Sequence, residues 1–585
     1  GSTSTLGNTA VGHYAGKATT TAYRNTYVGK SAGASITTGQ QNTAIGWTAI
    51  QSVTTGTSNT AVGAMAGNGL SGSSSGNTFI GDQAGYALTQ TLGNVLVGYQ
   101  AGTNGGTAER NTMLGHRVGS NIKGSTNVIL GYDAAIALSG SSSTNIILGG
   151  STCAAAGEMD QGVIIGDNAG YQLAGTGTEN NGTVLIGYAA GRLFTSGSGN
   201  VVVGNSAFYS AGARIRNTVM GTSAMYDATT ASSNTVMGWL SLNNITTGND
   251  NTAIGVQAGN TLTTTGKTVL IGFQSGYAIN STDADGTVAI GYQAGAAITS
   301  GQYNTAIGYQ AGLAMTDNDG NTILGYQAFK TANSGENDNT VIGYLAGSAV
   351  DNAQNDNNVI VGRSAGTGGS GIMSGCIYIG SKAGENGHIR NQYDNVFIGR
   401  GVAGQAFAGQ SDNNVAIGSV AMGAGGLNGA AANVAVGFTS MTSLTSGDNN
   451  VALGAYAGDA ITTTSGTVSM GYAALGAIST TGDYSVAIGY AAMGGAAVGD
   501  GNIAIGYSSM ANANATGFHR NIAIGYETMA NVGSNSATDN VAIGYQALND
   551  INANAIGNVA IGSYSGDAIT SGDYNVSIGE HALGS

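Results

Sequence analysis

An all-β parallel β-solenoid, a β-roll of about 33 coils forming one continuous repeat domain over residues 1–585, is the fold this sequence predicts. Three observations predict it. A five-residue cassette, first Asn8-Thr9-Ala10-Val11-Gly12 and last Asn575-Val576-Ser577-Ile578-Gly579, occurs 33 times, usually 17 to 19 residues apart. Each cassette holds three consecutive residues rich in β-branching, enough for one short strand. The 102 glycines come with no proline and no three-residue period, which excludes collagen and leaves nothing to interrupt stacked strands.

With the cassette glycine as position zero, position −3 is Thr, Val or Ile in every copy, and position −1 is Val, Ile, Leu or Met. Alternation puts these two on one face and position −2 on the other. Position −2 is still almost always apolar, as in Ala44, Phe79, Ile147, Leu270, Val341 and Phe397. A strand apolar on both faces is buried on both faces. The lumen of a coil takes only one face, so the other is expected to meet further copies of the same chain. Glycine at zero suits a bend with positive φ or a close approach. Position +3 is Ala or Ser in 29 copies, a second point of close packing. Position +4 alternates between Gly (Gly259, Gly276, Gly295, Gly312) and a bulky residue (Met422, Met441, Met493, Met510, Met529). A polar turn follows, as in Thr37-Thr38-Gly39, and length varies there, as in the enlarged loop 175–182. A coil of this size has room for two short strands and two turns.

Two columns run along the repeat. Asn fills position −4 in 26 copies, Asn42, Asn59, Asn304 and Asn321 among them. In register, these amides are expected to bond to one another as a structural ladder. Position +1 is aromatic in long runs, Tyr292, Tyr309, Tyr326 and Tyr344, then Tyr472, Tyr490, Tyr507, Tyr526 and Tyr545, with both tryptophans, Trp47 and Trp239, in the same slot. Stacked, such a column stiffens the coil; exposed, Tyr292 to Tyr344 would face a ligand such as a sugar. At about 4.8 Å per layer, 33 coils would make a rod of roughly 160 Å.

Composition excludes several functions. Only 8% of residues are charged but 41% are hydrophobic, so the signature of disorder is missing. A net charge of −14 spread over 585 residues argues against a nucleic-acid partner. No run of apolar residues is long enough for a membrane helix, so the chain is expected not to be membrane-embedded. Cys153 and Cys376 are too few for a disulfide framework or a zinc site and are expected to be packed.

Motifs for chemistry are weak. Gly29-Lys30-Ser31-Ala32-Gly33 and Gly362-Arg363-Ser364-Ala365-Gly366 imitate a nucleophile elbow, yet each is the cassette with Ser at +2. Gly266-Lys267-Thr268 imitates the end of a phosphate loop without its first glycine. The five histidines are scattered. The strands read Thr-Ala-Ile rather than Thr-x-Thr, so no flat threonine array for ice forms on a strand. The densest acidic stretch holds Asp317, Asp319, Glu336, Asp338, Asp351 and Asp356. Asp319, Asp338 and Asp356 fall just before successive cassettes and could stack at coil spacing. A solvated patch is the first reading. A Ca²⁺ site on Asp317, Asp319, Asp338 and Asp356 is the second, and a glycosidase acid pair the third. Asp448, Asp483 and Asp573 read as turn formers. No catalytic residue and no cofactor other than that Ca²⁺ is expected.

The phrase Asn-Thr-Ala-Ile-Gly-Tyr-Gln-Ala-Gly, complete at Asn304 to Gly312, resembles the head repeats of trimeric autotransporter adhesins of the YadA type and repeats of phage tail fibres. The similarity covers essentially the whole chain. The resemblance implies a left-handed β-roll with three chains side by side. The adhesin repeat is shorter, so an extra loop is expected in each coil, and no charged neck, heptad stalk or anchor barrel is found in these residues. Neither end carries a recognisable cap, so head-to-tail polymerisation is also expected. The expected function is a non-enzymatic extracellular structural or adhesive fibre, on a cell surface or a virion tail, with a surface glycan or host receptor as external partner. The alternative is a glycan-binding or glycan-hydrolysing tailspike.

Overall fold

A computed structural model describes every residue except 1–6, 156, 174–179, 211, 386–389, 477–481, 496–498, 514–516, 533–535, 552–553, 568, 571 and 585. Most of the enlarged loop 175–182 lies outside the described residues. The chain divides into two compact units, Gly1–Gly286 and Thr287–Ser585. Each is a parallel β-solenoid, and among the described residues helical structure is confined to a 3₁₀ turn, Thr282–Ala284, and to Asn180. The first unit carries sixteen cassette strands, from Thr9–Val11 to Val269–Ile271. The second carries seventeen, from Val288–Ile290 to Val576–Ile578. Equivalent residues pair across successive coils without slip: Thr43 with Thr60, Ala44 with Ala61, Ile45 with Val62 in the first unit, and Val541 with Val559, Ala542 with Ala560, Ile543 with Ile561 in the second.

Each coil has one regular strand rather than the two expected. Among the described residues a second short strand forms only locally, where Phe194–Ser196 pairs with Gly212–Ala213 and Met373–Ser374 with Gln392–Tyr393, with single bridges such as Val53 to Gly72 elsewhere. The reason is a set of left-handed corners at positions −5, +2 and +4, which in one coil are Tyr303 (φ 56°), Gln310 (φ 52°) and Gly312 (φ 57°). Even Leu240 (φ 55°) and Val420 (φ 61°) adopt this conformation, which is costly for such side chains. Inter-coil hydrogen bonds hold it. The N–H of Gln310 donates back to the Tyr292 carbonyl at 2.8 Å, and that of Gly312 donates forward to the Ala328 carbonyl at 2.9 Å. The alternating corners point successive amides up and down the stack, so the turns remain hydrogen-bonded without forming a ladder of strands.

The lumen takes the side chain at −2: Tyr27, Ala44, Phe79, Tyr378 and Phe397 are all buried. Positions +3, +4 and +7 join it, as Ala311, Gly312 and Met315 do. Volume is shared inside the coil. Beside the rings of Tyr27 and Phe79, +4 is glycine: a Cβ on Gly33 would lie 2.4 Å from Cε1 of Tyr27, and one on Gly85 would lie 3.0 Å from Cε1 of Phe79. Where −2 is Ala504, Ala523 or Ala542, position +4 is Met510, Met529 or Leu548, each buried. In other coils +4 shares its volume with +7: beside Ala306, a Cβ on Gly312 would lie 2.6 Å from Cε of Met315. The cassette glycine meets a stricter limit, because the backbones themselves approach: a Cβ on Gly46 (φ 137°) would sit 2.2 Å from the Gly63 carbonyl oxygen.

Positions −3 and −1 point outward, and nothing in their own coil covers them. Ile45, Ile80, Leu114, Met237, Leu324 and Ile561 are exposed. From Val359 to Val576 every described strand carries an aliphatic residue or Met at both positions, a continuous apolar stripe.

Candidate functional site

Among the described residues the columns are the features repeated most, and each follows from zero-slip stacking. The buried asparagine ladder is fully bonded. The backbone N–H and Nδ2 of Asn59 both donate to Oδ1 of Asn42 at 3.0 Å, and Nδ2 also donates to the Ser74 carbonyl at 2.8 Å. Asn42 in turn donates to the Gly56 carbonyl at 2.9 Å. Asn321 bonds Oδ1 of Asn304 through N–H and Nδ2 at 3.0 and 3.2 Å. Where Thr replaces Asn the bond survives: Oγ of Thr268 donates to Oδ1 of Asn251 at 2.7 Å. A buried amide left without partners would be costly, so the ladder fixes the register of the coils.

A second acceptor column, at position −6, was not foreseen. Side-chain acceptors there take the backbone N–H of the preceding coil: Oδ1 of Asp319 from Gln302 at 2.7 Å, Oδ1 of Asn337 from Asp319 at 2.7 Å, and Oδ1 of Asp356 from Asn337 at 2.7 Å. Asp448, Asp483 and Asp573 do the same for Ala431, Ser465 and Ile556. They therefore also bond between coils. His519 also serves, accepting at Nδ1 from the Asp500 N–H at 2.8 Å. Asp, Asn, Ser and His share the column, so only their acceptor atom is common, and no residue pattern marks it.

This places the acidic stretch. Asp319 and Asp356 share the −6 column with Asn337 between them, whereas Asp338 occupies the neighbouring left-handed corner (φ 55°) and lies over Gly320. The three do not form one stack. Asp317 accepts from Ser334 Oγ at 3.2 Å and the Gly335 N–H at 3.1 Å. Among the described residues no group of three or more His, Cys, Asp or Glu side chains is arranged to hold a metal ion. Glu336 is buried in the lumen: Oε2 accepts from Asn318 Nδ2 at 2.6 Å and the Ser334 N–H at 2.9 Å, and Oε1 has no partner. Burial pushes its carboxyl above the usual range.

The remaining motifs resolve into coil geometry. Ser31 (φ 57°) and Ser364 (φ 52°) sit in the same left-handed corner as Gln310 and Leu240, so their backbone belongs to the coil and not to a nucleophile elbow. The Gly266 N–H donates to Oδ1 of Asp285 at 2.7 Å and the Thr268 N–H to Asn251 at 3.0 Å, so amides a phosphate would need are occupied. Both cysteines are buried, and burial pushes the thiols up, Cys153 to about 12 and Cys376 to about 11. They are packed groups rather than nucleophiles. Arg214 is also buried, its guanidinium 4.8 Å from the Phe194 ring and 4.5 Å from that of Phe208. Nη2 donates to the Ser210 and Ala228 carbonyls, Nη1 has no partner, and desolvation lowers its pKa to about 9.

The tyrosine column is exposed. Tyr292, Tyr309, Tyr326 and Tyr344 are 42% to 49% exposed and stack at 5.1, 5.1 and 5.2 Å, with planes within 11°. Their faces cover one another, so the outward parts are ring edges and phenol oxygens. Beside them runs a column of glutamines at +2. Nε2 of Gln310 donates to Oε1 of Gln293 at 3.0 Å, and Nε2 of Gln327 to Oε1 of Gln310 at 2.8 Å. No helix among the described residues is long and apolar enough to cross a membrane. A comparison with protein-family models matches none of them, and a comparison with curated protein sequences finds no match.

Proposed function

We propose that this chain is a non-enzymatic, extracellular structural or adhesive fibre subunit that assembles with copies of itself. One observation carries the reading: the outward columns at −3 and −1 are apolar over coil after coil, yet stay half-buried to exposed in the single chain. From Val359 to Val576 that stripe spans thirteen strands in the second unit. Exposed apolar patches of this extent mark an interaction surface. A partner whose surface repeats every coil matches it best, and a second copy of the same chain is such a partner. The resemblance to adhesin heads and phage fibres adds three chains side by side as the arrangement, with head-to-tail growth as a further step and a cell surface or virion tail as the location. The non-enzymatic part rests on the carboxylates: Asp319 and Asp356 accept backbone N–H groups and do not face each other across a cleft.

The test is the solution mass of the full chain by light scattering, with Ile398→Lys and Ile417→Lys together as the variant. The fibre reading expects a multimer that the variant dissociates without loss of β-structure. A wild-type chain that is monomeric at every concentration, with its stripe open to solvent, would sink it.

A further inference from the structure

The exposed strip on the second unit deepens the adhesive part of that reading, on which it rests. Two rows run side by side along coils 292 to 344, phenols at +1 and amides at +2. The phenol rings repeat at 5.1 to 5.2 Å, and the rings stack on one another, so a sugar cannot lie on a ring face in mid-column. What the strip offers is a straight line of equivalent hydrogen-bonding groups, one set per coil. Gln310 uses one N–H and one lone pair in its own row, and an amide has two of each, so one donor and one acceptor remain. The phenols of Tyr309 and Tyr326 each add a donor and an acceptor. Neither row contains a charged side chain between Tyr292 and Gln327.

Such a line selects a neutral, straight polymer rich in hydroxyls whose repeat equals the coil spacing. An extended polypeptide advances about 3.3 Å per residue, out of step with the coils. A nucleic-acid strand advances about 3.4 Å per phosphate and carries a charge at each step, against a chain of net charge −14. An extended β-1,4-linked glycan rises per sugar by close to the tyrosine ring spacing, turns successive sugars over so that opposite hydroxyl-bearing edges alternate toward the strip, and carries no charge. We infer that the paired Tyr292–Tyr344 and Gln293–Gln327 rows bind a single extended β-1,4-linked glycan chain lying along the stacking direction, one sugar per coil, through ring edges and amides. The second tyrosine column supplies an internal control. Tyr472, Tyr490, Tyr507 and Tyr526 stack at 4.8 to 5.2 Å, but their +2 neighbours are Ala473, Ala491, Ser508 and Glu527, so the amide row is missing.

The experiment is retention of the full chain on microcrystalline cellulose and on chitin, with insoluble amylose, an α-1,4 glucan of curved path, as the third matrix. Three double variants are compared: Tyr309→Ser with Tyr326→Ser, Gln310→Ala with Gln327→Ala, and Tyr490→Ser with Tyr507→Ser. The expected result is retention on at least one β-1,4 matrix and not on amylose. The first two variants should each weaken it about tenfold and the third should change it less than about twofold. Hydrogen exchange of the neighbouring strand amides checks that each variant keeps its fold. Absence of retention on both β-1,4 matrices, or equal retention by all three variants, overturns the inference. The mass measurement stands apart: a multimer that ignores cellulose and chitin defeats this inference alone, and a monomer that binds them defeats only the assembly.

Discussion

Coils Thr26–Ile80 of the first unit and coils Val486–Ile561 of the second have the same backbone built from opposite choices of side chain. The first group places Thr at −3 and, at Tyr27 and Phe79, a large ring in the lumen with glycine at +4. The second places Val or Ile at −3, alanine in the lumen, and Met493, Met510, Met529 or Leu548 at +4 in every coil but the last, which has Gly566. The hydrogen-bonded frame is common to both. The frame therefore belongs to the cassette glycine and the asparagine ladder, while lumen volume and outer-face chemistry vary independently. The outer face differs in a way the lumen does not: hydroxyls alternate with aliphatics in the first group, whereas the second is aliphatic throughout.

The largest effect should strike both regions equally. Gly46→Ala and Gly506→Ala put a Cβ 2.2 and 2.1 Å from the next coil's carbonyl oxygen, at φ near 136°. Neither backbone can yield, so each is expected to cost about 4 kcal/mol or more. Because solenoids unfold coil by coil, local hydrogen exchange is the suitable readout. Unequal losses would break the idea of a shared frame.

Lumen swaps should then separate the regions. Met510→Gly is expected to cost about 2–5 kcal/mol as a cavity, and Gly33→Met about 3 kcal/mol by overpacking against Tyr27. Combined with Tyr27→Ala, Gly33→Met should recover most of its loss, a coupling of up to about 3 kcal/mol in a double-mutant cycle. Additive losses would contradict shared volume.

Truncating the ladder comes next. Asn42→Ala and Asn521→Ala each leave the next coil's N–H and Nδ2 without their acceptor. About 1–3 kcal/mol is expected in either region, measured by denaturant titration. In the acidic stretch, burial pushes the Glu336 carboxyl above its usual range in the folded state. Its folded pKa lies above the unfolded one, so its contribution is most favourable below the unfolded value and is lost as pH rises through the folded value. Glu336→Gln should remove that decline; an unchanged pH profile would mean the carboxyl is solvated. The smallest effect on folding belongs to the outer face. Thr43→Val and Val541→Thr should each change stability by less than about 0.5 kcal/mol. Self-association should rise with the first and fall with the second, as read by sedimentation.

The strand triplets, the asparagine ladder and the tyrosine columns were legible because each uses one residue type at one offset. Asn59 on Asn42 and Tyr309 on Tyr292 follow once coils stack without slip. The missing second strand was not legible. Its cause is left-handed φ at Leu240, Val420 and Gln310, side chains that do not favour that region and are held there by bonds to adjacent coils. The −6 column was hidden because Asp356, Asn337 and His519 share only an acceptor atom. The acidic stretch read first as a solvated patch, and the backbone amides that Asp319 and Asp356 hold in the adjacent coils were not legible.

The central claim is that the aliphatic outer face is buried between copies of this chain. Hydrogen exchange does not report side-chain burial, so the most direct measurement is the concentration-dependent mass of the intact chain in solution. The account predicts a discrete multimer, three chains by the resemblance, that falls to single chains when Ile398 and Ile417 become lysine. A wild-type monomer that stays soluble at every concentration would contradict it.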